Sequence, residues 1–255
     1  MFDSHCHLTD ERLRGDVAGV LARARAVGVT GVVSIASDAE DGAAANELAR
    51  SFPDVWSTAG IHPHAAGDAI AADRELVEDL ITRPRVVALG ETGLDYYYDT
   101  APRSLQCELF AWHLEHSART GLPTVVHSRD AEVDTAAVMR EANRNATGVL
   151  HCFSAGKLLF DTALELDWYV SFGGMVTFKN FAGHDFLRAV PSHRLLLETD
   201  SPYLAPVPMR GKQNEPAYVA YICAAAAALR GVSADELGRV TDENARRFYR
   251  LASFT

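Results

Sequence analysis

Short apolar runs recur along the chain at MFDSHCH from Met1, GVVSIAS from Gly31, VWSTAG from Val55, RVVALGE from Arg85, LPTVVH from Leu122, TGVLHC from Thr147, WYVSFGG from Trp168 and RLLLETD from Arg194. Most are rich in β-branched residues and of strand length. Between them the polar and apolar positions follow a helical period, as at Val17, Val20, Leu21, Ala24 and Val27. That spacing puts an apolar stripe on one side of a helix, and each stripe needs a sheet to cover. Asp10, Asp38, Asp130 and Ser233 stand where helix N-caps are wanted, and Gly28, Gly121 and Gly231 where a left-handed residue closes a helix. The alternation of strand and helix in units of roughly thirty residues predicts a closed (β/α)8 TIM barrel. One domain is expected over residues 1–255. The alternative is an open doubly wound sheet, but no G-x-G-x-x-G follows the first run.

Composition narrows this only a little. The 255 residues are 48% hydrophobic and 23% charged, with no low-complexity tract. No basic segment precedes an apolar one near Met1, and runs such as YICAAAAAL fall short of a membrane span, so the expected location is the cytoplasm without a membrane partner. Cys6, Cys107, Cys152 and Cys223 form no C-x-x-C pair and are expected to be reduced. A net charge of −10 argues against broad electrostatic capture of nucleic acid, while leaving room for a local cationic site. No obligate protein partner is implied.

The chemistry lies where the apolar runs end. His5 and His7, Glu91, His127, His151, and Glu198 with Asp200 all fall at carboxyl ends of predicted strands, the face on which barrels assemble their active sites. Each costs free energy to bury unpaired; together they form the mixed nitrogen and oxygen donor set of a metal site. Three imidazoles and one carboxylate satisfy one ion, so the surplus implies two. Glu91 is the candidate bridge, because its two oxygens can bind separate ions. Alternation puts Asp3, His5 and His7 on one inward face, where Asp3 can accept the second ring N–H of a ligating histidine. Glu198, on the same face as Asp200, is expected to support the ligands in a similar way. Asp200 is expected to orient or deprotonate the attacking water. On the loop GIHPH, His62 and His64 can contact phosphate or protonate the leaving group. Arg129, Lys179 and Arg210 supply cations for phosphate oxygens, whereas Lys212 reads as a solvated charge. Tyr96, Tyr97 and Tyr98 offer rings for stacking or for loop packing. His113 and His116 read as outer-layer packing on a helix, and His193 lies at the opposite face.

The segments FDSHCHL, GIHPH, GETGLDYYYD, VVHSRDA, HCFSAG, ETDSPYLAP and RGKQNEP, in this order from Met1 to the final helix, resemble the TatD-type metal-dependent deoxyribonucleases of the amidohydrolase superfamily. The resemblance implies that His5, His7, Glu91, His127, His151 and Asp200 are the divalent-metal ligands, with Glu91 bridging. The implied cofactor is two divalent ions, Mg2+, Mn2+, Zn2+ or Co2+. Two departures stand out: Ala155 is an extra residue in HCFSAG, and Met209 occupies a position where a histidine is frequent. Neither removes a ligand.

The function expected from these observations is metal-dependent phosphodiester hydrolysis, a 3′–5′ trimming of single-stranded or frayed DNA ends. A hydrolase of small C–N or C–O substrates, amidohydrolase or lactonase, is the alternative on the same barrel. Outside enzymes, the alternative is a non-catalytic metal-binding protein. Glutamate in ALGETGLD, where many binuclear relatives of that superfamily bridge with a carbamylated lysine, favours the nuclease, as do the basic residues expected around the mouth.

Overall fold

The computed structural model describes residues 1–142 and 145–251. Eight parallel strands lie side by side in sequence order: β1 (Phe2–Cys6), β2 (Gly31–Ser34), β3 (Val55–Ala59), β4 (Val86–Asp95), β5 (Thr124–Arg129), β6 (Gly148–Leu150), β7 (Tyr169–Phe172) and β8 (Leu195–Leu197). The last meets the first. His7 N donates to Ser201 O at 2.7 Å and Asp200 N to His5 O at 2.9 Å, which closes a (β/α)8 barrel just beyond β8. Helices α1 (Val17–Ala26), α2 (Ala39–Ser51), α3 (Ala71–Leu80), α4 (Arg103–Thr120), α5 (Glu132–Glu141), α6 (Lys157–Glu165), α7 (His184–Ala189) and α8 (Val219–Arg230) connect the strands or follow the last, and α9 (Ala234–Phe248) ends the order. Among the described residues no single helix is long and apolar enough to cross a membrane.

Val125, Val149 and Leu196 lie two positions before His127, His151 and Glu198, so they share the inward face one pleat deeper. They cluster with Val33, Ile35 and Val87, and with Phe248 and Tyr249 at the end of α9. Asn244 of α9 donates to Ser192 O and Leu195 O, placing this helix across the amino-terminal end of the barrel. The polar residues therefore sit on an apolar floor at the other end. A larger cluster, including Cys6, Val20, Leu21 and Ala24, fills the space between strands and helices.

The caps are partly as expected. Asp38 and Ser233 accept from Asp41 N and Glu236 N, and Gly121 and Gly231 close α4 and α8 at positive φ. For α1, however, the cap is Asp16, which accepts from Gly19 N, because Asp10 is taken by Arg12 and Tyr203. Asp130 adopts φ 52° and leaves the cap position of α5 to Ala131. Val27 stands beyond the last turn of α1 and is 44% exposed.

Two glycines let β4 and β5 approach closely. Gly90 and Gly93 have φ of 120° and 127°, and a Cβ on Gly93 would collide with the His127 carbonyl oxygen. Gly93→Ala is therefore expected to destabilise the protein by more than ~2 kcal/mol, combining left-handed strain with a backbone clash. Urea unfolding checks this; an unchanged midpoint would refute the close-approach argument.

Candidate metal centre

Glu91 is buried at the centre of the barrel mouth, with its two oxygens facing different partners. Oε1 lies 2.8 Å from His151 Nε2, 3.2 Å from His127 Nδ1 and 3.5 Å from His62 Nε2. Oε2 lies 3.4 Å from His5 Nε2 and 3.9 Å from His7 Nε2. Asp200 completes the second set, its Oδ1 3.6 Å from His5 Nε2 and 3.5 Å from His7 Nε2. Donor atoms of His5, His7 and Asp200 all lie within 4.8 Å of one another, as do those of His62, Glu91 and His127.

The far side of most of these rings is pinned, and that fixes which nitrogen carries the lone pair. His151 Nδ1 lies 3.2 Å from Glu198 Oε1, His127 Nε2 3.0 Å from Asp95 Oδ2, and His7 Nδ1 3.2 Å from Ile35 O. Each of those oxygens only accepts, so each ring carries its proton there and turns a bare lone pair inward. His127 Nδ1 and His151 Nε2 then face each other at 3.2 Å, beside the anionic Glu91 Oε1. His5 Nε2 and His7 Nε2 are likewise 3.2 Å apart. Three acceptors converging on one point repel unless a cation sits among them, so this donor set fits divalent ions. The field at this point favours positive charge, which a proton or a metal ion can supply. Burial alone would raise the Glu91 carboxyl, but His151, His62 and His5 hold it well below the ordinary carboxylate range. Burial would lower His151, but Glu91 and Glu198 push it well above the ordinary value.

The remaining expected residues divide. Glu198 Oε1 accepts from Cys152 N at 2.6 Å as well as facing His151, so its place is behind that ring. Asp3 does not reach a histidine ring. Its oxygens accept from Thr199 N at 2.8 Å and Thr199 Oγ1 at 2.6 Å, and His5 Nδ1 is buried with no hydrogen-bond partner among the described residues. The reason is proximity across the closure: Thr199 offers an N–H and an O–H together, so Asp3 fixes the backbone leading to Asp200. Burial pushes the Asp3 carboxyl up to about 8, against those hydrogen bonds. His62 Nδ1 accepts from His64 N at 3.1 Å, which leaves the proton on Nε2. Burial pushes His62 down to about 4, so at neutral pH it is a neutral donor. His64 Nε2 is held 2.9 Å from Asp95 Oδ2.

Arg129 lies over Tyr97 at 4.0 Å and Tyr98 at 5.0 Å, and Arg210 over Phe178 at 4.2 Å. Lys179 is not brought to the cluster. It lines a groove with Val207, Tyr221 and Leu229 against α8, because the turn Gly174–Thr177 carries it outward. His113 and His116 bind Ile61 N and Glu78 from α4, as packing residues.

Asp95 escaped the sequence reading. It is fully buried, ends β4, and besides His64 and His127 accepts from Tyr97 N and Tyr98 N, each at 3.0 Å. Its signal was parity: Glu91, Gly93 and Asp95 alternate onto one face.

A closed parallel barrel carrying histidines and carboxylates of this kind at its carboxyl-terminal mouth defines a metal-dependent hydrolase. The chain belongs to the TatD family: the family model described as TatD related DNase matches residues 2–250. It is 41% identical to the uncharacterized metal-dependent hydrolase YcfH of Escherichia coli (strain K12), covering 98% of this chain and 96% of that one. It is 36% identical to the 3′-5′ ssDNA/RNA exonuclease TatD of Edwardsiella piscicida, covering 99% and 100%. Among solved structures, YJJV, a TatD homolog from Escherichia coli K12, superposes with a TM-score of 0.92 at 27% identity, covering 99% and 98%.

Proposed function

We propose that the protein is a phosphodiesterase that uses two divalent ions to trim the 3′ ends of single-stranded or frayed DNA. The observation that carries this reading is the division of Glu91, one oxygen toward His127 and His151 and the other toward His5 and His7. The naming of a relative as a 3′-5′ ssDNA/RNA exonuclease supports the substrate class. Bound ions would acidify a water and neutralise charge on the phosphodiester. Asp200, beside His5 and His7, is placed to orient a water and accept its proton on a carboxylate oxygen. His62 donates its Nε2 proton toward the leaving oxygen, and His64 holds His62 in that tautomer through its backbone N–H. Among the described residues Arg129 has no carboxylate partner, which leaves the edge of its guanidinium to bind a phosphate.

The test is hydrolysis of 5′- and 3′-labelled single- and double-stranded oligonucleotides with Mg2+, Mn2+, Co2+ or Zn2+. Shortening from the 3′ end, abolished by EDTA and restored by metal, is expected. Hydrolysis of an amide or lactone panel without phosphodiester turnover would overturn the proposal. A chain with net charge −10 grips few phosphates, so log(kcat/KM) should fall only gently with log[salt]. Arg129→Ala is expected to lower kcat/KM by roughly 10- to 100-fold, the worth of a charged hydrogen bond.

A further inference from the structure

Tyr203 is 46% exposed and yet held on several sides. Its hydroxyl donates to Asp10 Oδ2 at 3.2 Å, the Arg12 guanidinium lies 4.3 Å over its ring, and its carbonyl accepts from Asn214 Nδ2 at 2.6 Å. Asn214 is itself fully buried and also holds Thr199 O. These contacts hold the ring while part of its surface stays open to solvent. It stands 5.9 Å from the His7 ring, centroid to centroid and edge on, beside the set that faces Glu91 Oε2.

Across the mouth is a matching arrangement. Tyr97 and Tyr98 follow β4, are 58% and 56% exposed, and carry Arg129 from the end of β5 over their rings. Tyr98 stands 5.2 Å from His64, beside the set that faces Glu91 Oε1. In a closed ring of eight strands β4 and β5 lie opposite β8 and β1. Two exposed aromatic surfaces thus flank the candidate metal centre on opposite sides.

Their charges differ. Among the described residues Arg129 meets no carboxylate, whereas Arg12 gives two hydrogen bonds to Asp10, Nε to Oδ1 at 2.9 Å and Nη2 to Oδ2 at 2.8 Å. A phosphate arriving at Tyr97 and Tyr98 meets an uncompensated cation; one continuing past Tyr203 meets a compensated cation and a carboxylate. From this asymmetry we infer that Tyr203 is the stacking platform for the base of the strand's terminal nucleotide, while Tyr97 and Tyr98 stack bases of the strand that continues. Stacking on aromatic rings tolerates any base, so the subsite reads an end and not a sequence. It favours a terminal hydroxyl over a terminal phosphate. The inference rests on the nuclease reading above and gives it an orientation.

The experiment uses the full-length protein with Mn2+ and single-stranded oligonucleotides made hydrolysis-resistant by phosphorothioate linkages, carrying 2-aminopurine at the 3′-terminal or the third position. Stacking quenches 2-aminopurine fluorescence. Tyr203→Ala and Tyr203→Leu are expected to abolish quenching at the terminal position only and to weaken binding about 5- to 100-fold, the usual effect of removing one stacked ring. Tyr203→Phe keeps the ring and should keep the quenching. The Tyr97→Ala/Tyr98→Ala double variant should act at the third position instead. A wild type that cuts and quenches, with terminal quenching unchanged in both Tyr203→Ala and Tyr203→Leu, would overturn the inference and leave the nuclease reading standing. A wild type that neither binds nor cuts any oligonucleotide would overturn the nuclease reading, and the inference with it.

Discussion

Glu91→Gln is expected to lose bound metal and to lower turnover by about three orders of magnitude or more, because metal activation supplies several kcal/mol of the barrier reduction. The amide has one neutral acceptor oxygen and one donor NH2 in place of two anionic oxygens. Whichever way it turns, the NH2 group points either at His127 and His151 or at His5 and His7, and a set with only one anion, Asp200, remains to hold two dications. The fold should survive, since glutamine fills the same volume and removing a buried anion leaves imidazoles that can stay neutral. Metal content by elemental analysis and turnover of a labelled oligonucleotide check the prediction together. Unchanged metal content and unchanged rate would refute the bridging role. Excess Mn2+ should not rescue this variant.

What the sequence disclosed and what it hid follow from the same physics. The convergence of these histidines and carboxylates was legible because polar residues closing apolar runs are costly to bury, and because inward parity can be counted along a single strand. Partners across the closure were not. Asp3 has the inward parity assigned to it, but its carboxylate meets Thr199, a residue brought near only when the end of β8 joins β1. The apolar run RVVALGE stops at Glu91. In the barrel Gly90 and Gly93 let β4 run on against β5, and so Asp95 is a strand-end residue too. The pairing of Asp95 with Arg129 in register sets Arg129 over Tyr97, a contact between two strands that neither motif contains alone. Asp10 has the composition of a helix cap and serves as the anchor of Arg12 and Tyr203, because the turn after β1 lets Arg12 reach back to it.

Asp95→Asn offers the second large effect and a different signature. As an anion Asp95 accepts four hydrogen bonds, two from imidazole N–H groups at Oδ2 and two from backbone N–H groups at Oδ1. Burial would raise its carboxyl, but His127, the Tyr98 N–H and His64 hold it far below the ordinary range. An amide cannot serve both sides. Backbone N–H groups cannot give up their protons, so the amide oxygen must stay with Tyr97 and Tyr98, and the NH2 group must face His64 and His127. His127 then accepts at Nε2 and carries its proton on Nδ1, which turns a donor toward Glu91 Oε1 where a lone pair stood. Losing the support behind a ligating histidine typically costs 10- to 100-fold in metal affinity, and a shift of about that size is expected in the Mn2+ concentration giving half-maximal activity. All other ligands and the charge of Glu91 remain, so saturating Mn2+ should favour the tautomer with the His127 proton on Nε2, at the cost of the hydrogen bond from the amide NH2, and restore most of the rate. A metal titration of activity, wild type beside variant, separates the outcomes: an unshifted midpoint would show that Asp95 does not set the His127 tautomer, and a shifted midpoint with no recovery at saturation would place Asp95 in contact with the reacting groups themselves.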